Sequence, residues 1–102
     1  MPTVAQLEDL LAESPDDPFL LYGIAQEHAK AGRHELAITF YDRCLAIDPQ
    51  YCYAYYHKAK SLDSLERQTE ATGVLETGIE QARALEDAHA EAELTTLLEE
   101  YQ

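Results

Sequence analysis

The stretch YCYAYYHKAK, Tyr51 to Lys60, gathers four tyrosines, a cysteine, a histidine and two lysines into ten residues. Such residues can do chemistry. A thiol beside an imidazole can make a nucleophile, histidine and cysteine ligate metals, and tyrosines among lysines can stack on a single-stranded nucleic acid. Each chemistry needs a spacing. The four histidines, His28, His34, His57 and His89, never stand three or four residues apart, as a helical metal site requires. Gly23, Gly32, Gly73 and Gly78 form no phosphate-cradling loop, and no serine or cysteine has an identifiable base. The acidic pairs Glu8-Asp9, Asp16-Asp17, Glu86-Asp87 and Glu99-Glu100 are adjacent, so on a helix their carboxylates point apart and read as solvated faces. The expectation is a protein without catalytic residues, metal or cofactor.

Charge bears on the stacking alternative. Seven Lys and Arg against 20 Asp and Glu leave a net charge of −13, which repels a phosphate backbone, and Lys58 and Lys60 do not offset it. The cysteines, Cys44 and Cys52, are too few for a disulfide scaffold and lack C-x-x-C spacing, which suits reduced thiols. The opening MPTVAQLEDLL has no basic segment and no apolar run of signal length. Nor does any stretch approach the ~20 apolar residues of a membrane helix. A soluble cytoplasmic protein is expected. With 102 residues, 46% of them hydrophobic, the chain can bury the core of one compact domain.

Helices must position the cluster. Thr3 and Gln6 stand at capping-box spacing ahead of Val4, Leu7, Leu10 and Leu11 on one face. Ser14-Pro15-Asp16-Asp17-Pro18 breaks that helix, with Asp17 suited to cap the next and Pro18 to its first turn. Gly32 fits the left-handed position that closes it. A third segment runs from Glu35 to Ile47 and stops at Asp48-Pro49; a fourth opens at Tyr51 and closes near Ser64–Arg67. A fifth begins around Thr69, and a last amphipathic segment carries Leu94, Leu97, Leu98 and Tyr101. Between these two, Leu85-Glu86-Asp87 holds neither Gly nor Pro, so a break and a continuous helix both stay open. No alternating run suggests a strand. The fold class is all-α.

An offset of 34 residues aligns the chain with itself: Leu21 with Tyr55, Ala25 with Ala59, His28 with Leu62, Ala37 with Ala71, Tyr41 with Leu75. A fixed period of this length marks stacked supersecondary units. On these residues the sequence resembles the tetratricopeptide repeat family, whose 34-residue helix–turn–helix has a large residue, Leu-Gly and Tyr on its first helix, then Ala, Phe and Pro on its second. Leu21, Ile24, Ala25, His28, Ala37, Tyr41 and Pro49 fill the pattern once; Tyr55, Ala59, Leu62, Ala71, Leu75 and the small Gly78 fill it again. Lys58 stands where Leu is usual and Arg83 where Pro is usual. The resemblance implies antiparallel hairpins stacked as a short right-handed superhelix. Its repeats would be 18–51 and 52–85, between capping helices 1–17 and 86–102.

Helical spacing divides the cluster. Cys52, Tyr55, Ala59 and Leu62 share one face, which the repeat uses for packing. Tyr53, Tyr56 and Lys60 lie about 100° away, and Phe19, Tyr22 and Gln26 are their counterparts one period earlier. In the family that second face lines a concave groove that receives a peptide or partner helix. The resemblance therefore implies a protein-binding adaptor or scaffold with Phe19, Tyr22, Gln26, Tyr53, Tyr56, His57 and Lys60 in its groove. Some members grip a C-terminal carboxylate, but Tyr22 and Gln26 stand where that clamp would begin with Lys and Asn, so that specificity is not expected. Wet aromatics call for a cover. The alternatives are the acidic C-terminal segment folding over them, or a second copy in homo-oligomerisation.

The charge is unevenly spread. Residues 1–17 carry five acids and 86–102 six, neither with Lys or Arg, while 18–85 holds nine acids and all seven bases. Acidic ends can keep a short repeat stack soluble.

Overall fold

The computed structural model describes residues 2–102. Six helices follow in order: α1 Val4–Glu13, α2 Pro18–Lys30, α3 His34–Ile47, α4 Cys52–Ser64, α5 Gln68–Ala84 and α6 Ala88–Glu100, with no strand among the described residues. Local chemistry sets most of their ends. The Gln6 amide donates to Thr3 Oγ1 at 3.1 Å while the Thr3 amide donates to Gln6 Oε1 at 2.8 Å, a reciprocal capping box. Asp17 Oδ1 accepts from the Phe19 amide at 2.9 Å, with Pro18 at the first helical position.

One turn recurs at the helix C-termini. After α2, Gly32 has φ 82°, its amide donates to Ala29 and the Arg33 amide donates back to the His28 carbonyl at 2.9 Å. After α4 the same bonds form around Glu66, at φ 61°, with the Arg67 amide on the Leu62 carbonyl. After α5 they form around Glu86, at φ 56°, with the Asp87 amide on the Ala82 carbonyl. This paired closure satisfies carbonyls a helix end leaves orphaned. The chain therefore breaks at Leu85-Glu86-Asp87, and Asp87 caps α6 by accepting from the Ala90 amide at 3.1 Å. Because Arg83 replaces a proline, α5 runs to Ala84 and Arg83 pairs with Glu91 at 2.7 Å.

Helices adjacent in the chain pack as antiparallel neighbours, and α2 with α4 and α4 with α6 also touch. The outer helices α3 and α5 are not in comparable contact, so the stack curves with α2, α4 and α6 on its inner side. Ala25, Ala37, Ala59 and Ala71 are fully buried, where small side chains let backbones approach. Leu21, Tyr41, Leu62 and Leu75 fill the space between them. Lys58 is accommodated by an ion pair: its Nζ lies 2.6 Å from Asp42 of α3, whereas its counterpart Ile24 is fully buried. No described helix is long and apolar enough to cross a membrane.

Candidate functional site

The inner face is built from two matching helix stripes. On α2, Phe19, Tyr22, Gln26 and Lys30 recur at intervals of three and four residues; on α4, Tyr53, Tyr56 and Lys60 do the same, with His57 next to Tyr56. Tyr22 and His57 join the helices, with ring centroids 5.9 Å apart and edge to face. The line continues from His57 to Tyr56 at 5.1 Å and from Tyr56 to Tyr53 at 6.5 Å. At its other end Tyr51 packs on Tyr22 at 4.9 Å. Such tilted and edge contacts suit the ring quadrupoles, each worth ~0.5–1.5 kcal/mol beyond burial. Below the line, the buried Tyr41 hydroxyl donates to the Gln26 side-chain oxygen and holds that amide in place.

Exposure differs along the line. Phe19 is 69% exposed, while Tyr22, Tyr53 and Tyr56 are half-buried. Helix α6 accounts for part of that cover: Tyr53 and Tyr56 pack against the core that includes Leu94 and Leu97. By contrast Tyr55 and Cys52 are buried, and the Tyr55 hydroxyl donates to the Pro49 carbonyl at 2.6 Å.

Two cavities open on this face. One, of about 310 Å³, lies between α1 and α2 and is bordered by Leu7, Phe19, Tyr22, Gly23, Gln26 and Lys30. The other, of about 370 Å³, is bordered by Gln26, Lys30, His34, His57, Lys60 and Tyr101. A third recess of about 370 Å³ lies where Tyr56 meets His89, Glu93 and Glu100 of α6. Tyr51, Lys30, His34 and Tyr101 are therefore members that sequence reasoning missed. Lys30 continues the α2 stripe by one turn, so periodicity could have found it. Tyr51 precedes α4, outside any helical face, and Tyr101 arrives from a distant helix.

Burial keeps the Tyr22 and His57 rings and the two thiols in their neutral forms. Burial, reinforced by Tyr51, pushes the Tyr22 hydroxyl up to about 12. His57 is held below the usual imidazole value by burial and then by Lys60, against the opposing pull of Glu93. Burial pushes the Cys44 thiol up to about 11 and raises that of Cys52, so both stay protonated at neutral pH and lack the thiolate a nucleophile needs. Of the remaining histidines, His28 is buried against Phe40, His34 Nδ1 lies 3.1 Å from Ser61 Oγ, and His89 pairs with Glu93 at 2.9 Å. Among the described residues no three His, Cys, Asp or Glu side chains converge on a metal position.

A sequence model of the tetratricopeptide repeat matches residues 18–51. A tetratricopeptide repeat domain protein from Salinibacter ruber, solved by NMR, is 32% identical with a TM-score of 0.80 over 86% of this chain and 89% of that one. A TPR repeat-containing protein of Pseudomonas aeruginosa is 29% identical over 92 residues, 90% of this chain and 88% of its own. PcrH, crystallised with the chaperone binding region of PopD, shares the fold at a TM-score of 0.89 and 17% identity, over 96% of this chain and 74% of that one. The chain belongs to the tetratricopeptide repeat family.

Proposed function

We propose that the concave face of α2, α4 and α6 binds a segment of another protein, and that the molecule serves as an adaptor or scaffold without chemistry of its own. On this reading residues 18–51 and 52–85 are the working repeats, with 1–17 and 86–102 as their caps. The observation that carries it is Phe19. A phenylalanine 69% exposed, continuous with Tyr22 and a cavity of about 310 Å³, is apolar surface held ready for a cover. Tyrosine suits the rest of the face, offering large contact area with a polar tip and few rotors. PcrH, which shares the fold, is solved with the chaperone binding region of PopD, so an architecture of this kind can accept a protein segment. With two repeats the face is short, and affinity for a linear peptide should be micromolar or weaker, about −8 kcal/mol.

The test uses the full chain. Dodecapeptides selected on it from a random display library should bind Phe19→Ala at least ~10-fold more weakly and Glu76→Ala, altered on the outer helix α5, equally well. Peptides indifferent to Phe19→Ala would sink this reading. Light scattering should give one mass at all concentrations; a dimer that Phe19→Ala dissolves would instead assign the face to self-association.

A further inference from the structure

We propose that the docking segment carries an acidic side chain that seats on Lys60 and an apolar side chain seated against Phe19 and Tyr22. This rests on the concave face being the binding surface and specifies its ligand. The starting point is where each cation of this acidic chain goes. Lys30 pairs with Glu27, Lys58 with Asp42, Arg67 with Glu35 and Glu70, and Arg83 with Glu91. Arg33 donates to His28, and Arg43 lies over Phe40. On the concave face Lys30 is paired with Glu27, whereas Lys60 lies with its Nζ 5.6 Å from the Tyr56 ring centroid and forms no ion pair with a described carboxylate. In a chain with 20 acids, a lysine aimed at the aromatic face and left unneutralised is a cation available to a ligand.

The two cavities adjoin, with Gln26 and Lys30 bordering both, and lie along one face. Its Phe19 end is apolar and its Lys60 end cationic. The carboxylate at the cationic end, Asp63, accepts from Gln68 Nε2 at 2.8 Å and is not ion-paired with Lys60. One acid fits better than several, since the net charge of −13 opposes approach of a polyanion. A carboxylate also fits better than a phosphoryl group, whose two charges would call on Lys30, already 3.2 Å from Glu27.

The library selection on the full chain tests this, using C-terminally amidated synthetic versions of the enriched peptides. Enriched sequences should pair an apolar residue with Asp or Glu at a fixed spacing. Replacing that acid by Lys, or Lys60 by Gln, should each weaken binding ~10-fold in fluorescence anisotropy, and Lys60→Arg should restore it. Lys60→Gln should also remove much of the salt dependence, and phosphoserine in place of the acid should bind no tighter. Enriched peptides that lack an acid, prefer Lys, bind tighter with phosphoserine, or ignore Lys60→Gln while still losing affinity to Phe19→Ala would overturn this inference and leave the binding face intact. Selection that yields nothing dependent on Phe19 would overturn both.

Discussion

A Cβ placed on Gly78 of α5 would stand 2.8 Å from the Tyr55 Cβ of α4 and 3.3 Å from a Leu94 methyl of α6. Three helices meet at that missing side chain. Glycine inside a helix ordinarily costs ~1 kcal/mol relative to alanine, so Gly78→Ala would be stabilising in open space. Here the nearest atom is fixed to the α4 backbone and cannot rotate away, so overpacking should win. Chemical denaturation should show Gly78→Ala destabilised by ~1–3 kcal/mol. A variant as stable as the parent would mean that α4 and α5 can part without cost.

Neighbouring tyrosines should separate stability from binding. Tyr55 is buried with its hydroxyl bonded to Pro49, whereas Tyr56 is half-buried beside Lys60. Tyr55→Ala should cost ~3–5 kcal/mol in a denaturant melt, as lost core aromatics do. Tyr56→Ala should cost under ~2 kcal/mol of stability and weaken binding of a selected peptide by ~1–2 kcal/mol. The reverse pattern would invert the division of the cluster.

Glu66 and Glu86 hold left-handed backbone at φ 61° and 56°, where Gly32 stands after α2. A β-carbon is disfavoured there by roughly 1–2 kcal/mol, partly offset by the freedom glycine gives the unfolded chain. Glu66→Gly should therefore raise stability by ~0.5–1 kcal/mol, seen as a higher melting temperature. A fall would show that the turn depends on the glutamate side chain.

His28 should make the fold sensitive to mild acid. Its Nδ1 accepts from Arg33 Nε at 2.9 Å, so the proton sits on Nε2, which has no partner among the described residues. Burial first, then Arg33, lowers its affinity for a second proton, against the pull of Glu8. The unfolded chain, with its histidine near 6.5, then binds the proton first as pH falls. The stabilisation is fully present above about pH 6.5 and is lost as pH drops through the folded value. Melts of the parent and His28→Leu should diverge below that pH, the parent losing stability faster. Parallel curves from pH 7 to 5 would rule out the histidine as the source.

Local rules act over a few residues, so the helices capped by Thr3 and Asp17, the stop at Gly32 and the 34-residue period could all be read from residue order. The break after α5 could not, because no Gly or Pro marks it. The signal present was subtler: Leu85-Glu86 repeats Leu65-Glu66, and both glutamates adopt the left-handed turn. Helical spacing likewise divided Tyr55 from Tyr56, since 100° per residue is a property of any α-helix. What covers each face is a different matter, because it depends on segments far apart in the chain. Only packing in three dimensions laid α6 partly over Tyr53 and Tyr56, set Tyr51 on Tyr22, and left Phe19 open. Only packing let Gln26 and Lys30 border two cavities at once. The pairing of each cation was decided there too: Lys58 found Asp42 on another helix, while Lys60, two residues on, was left above a tyrosine ring.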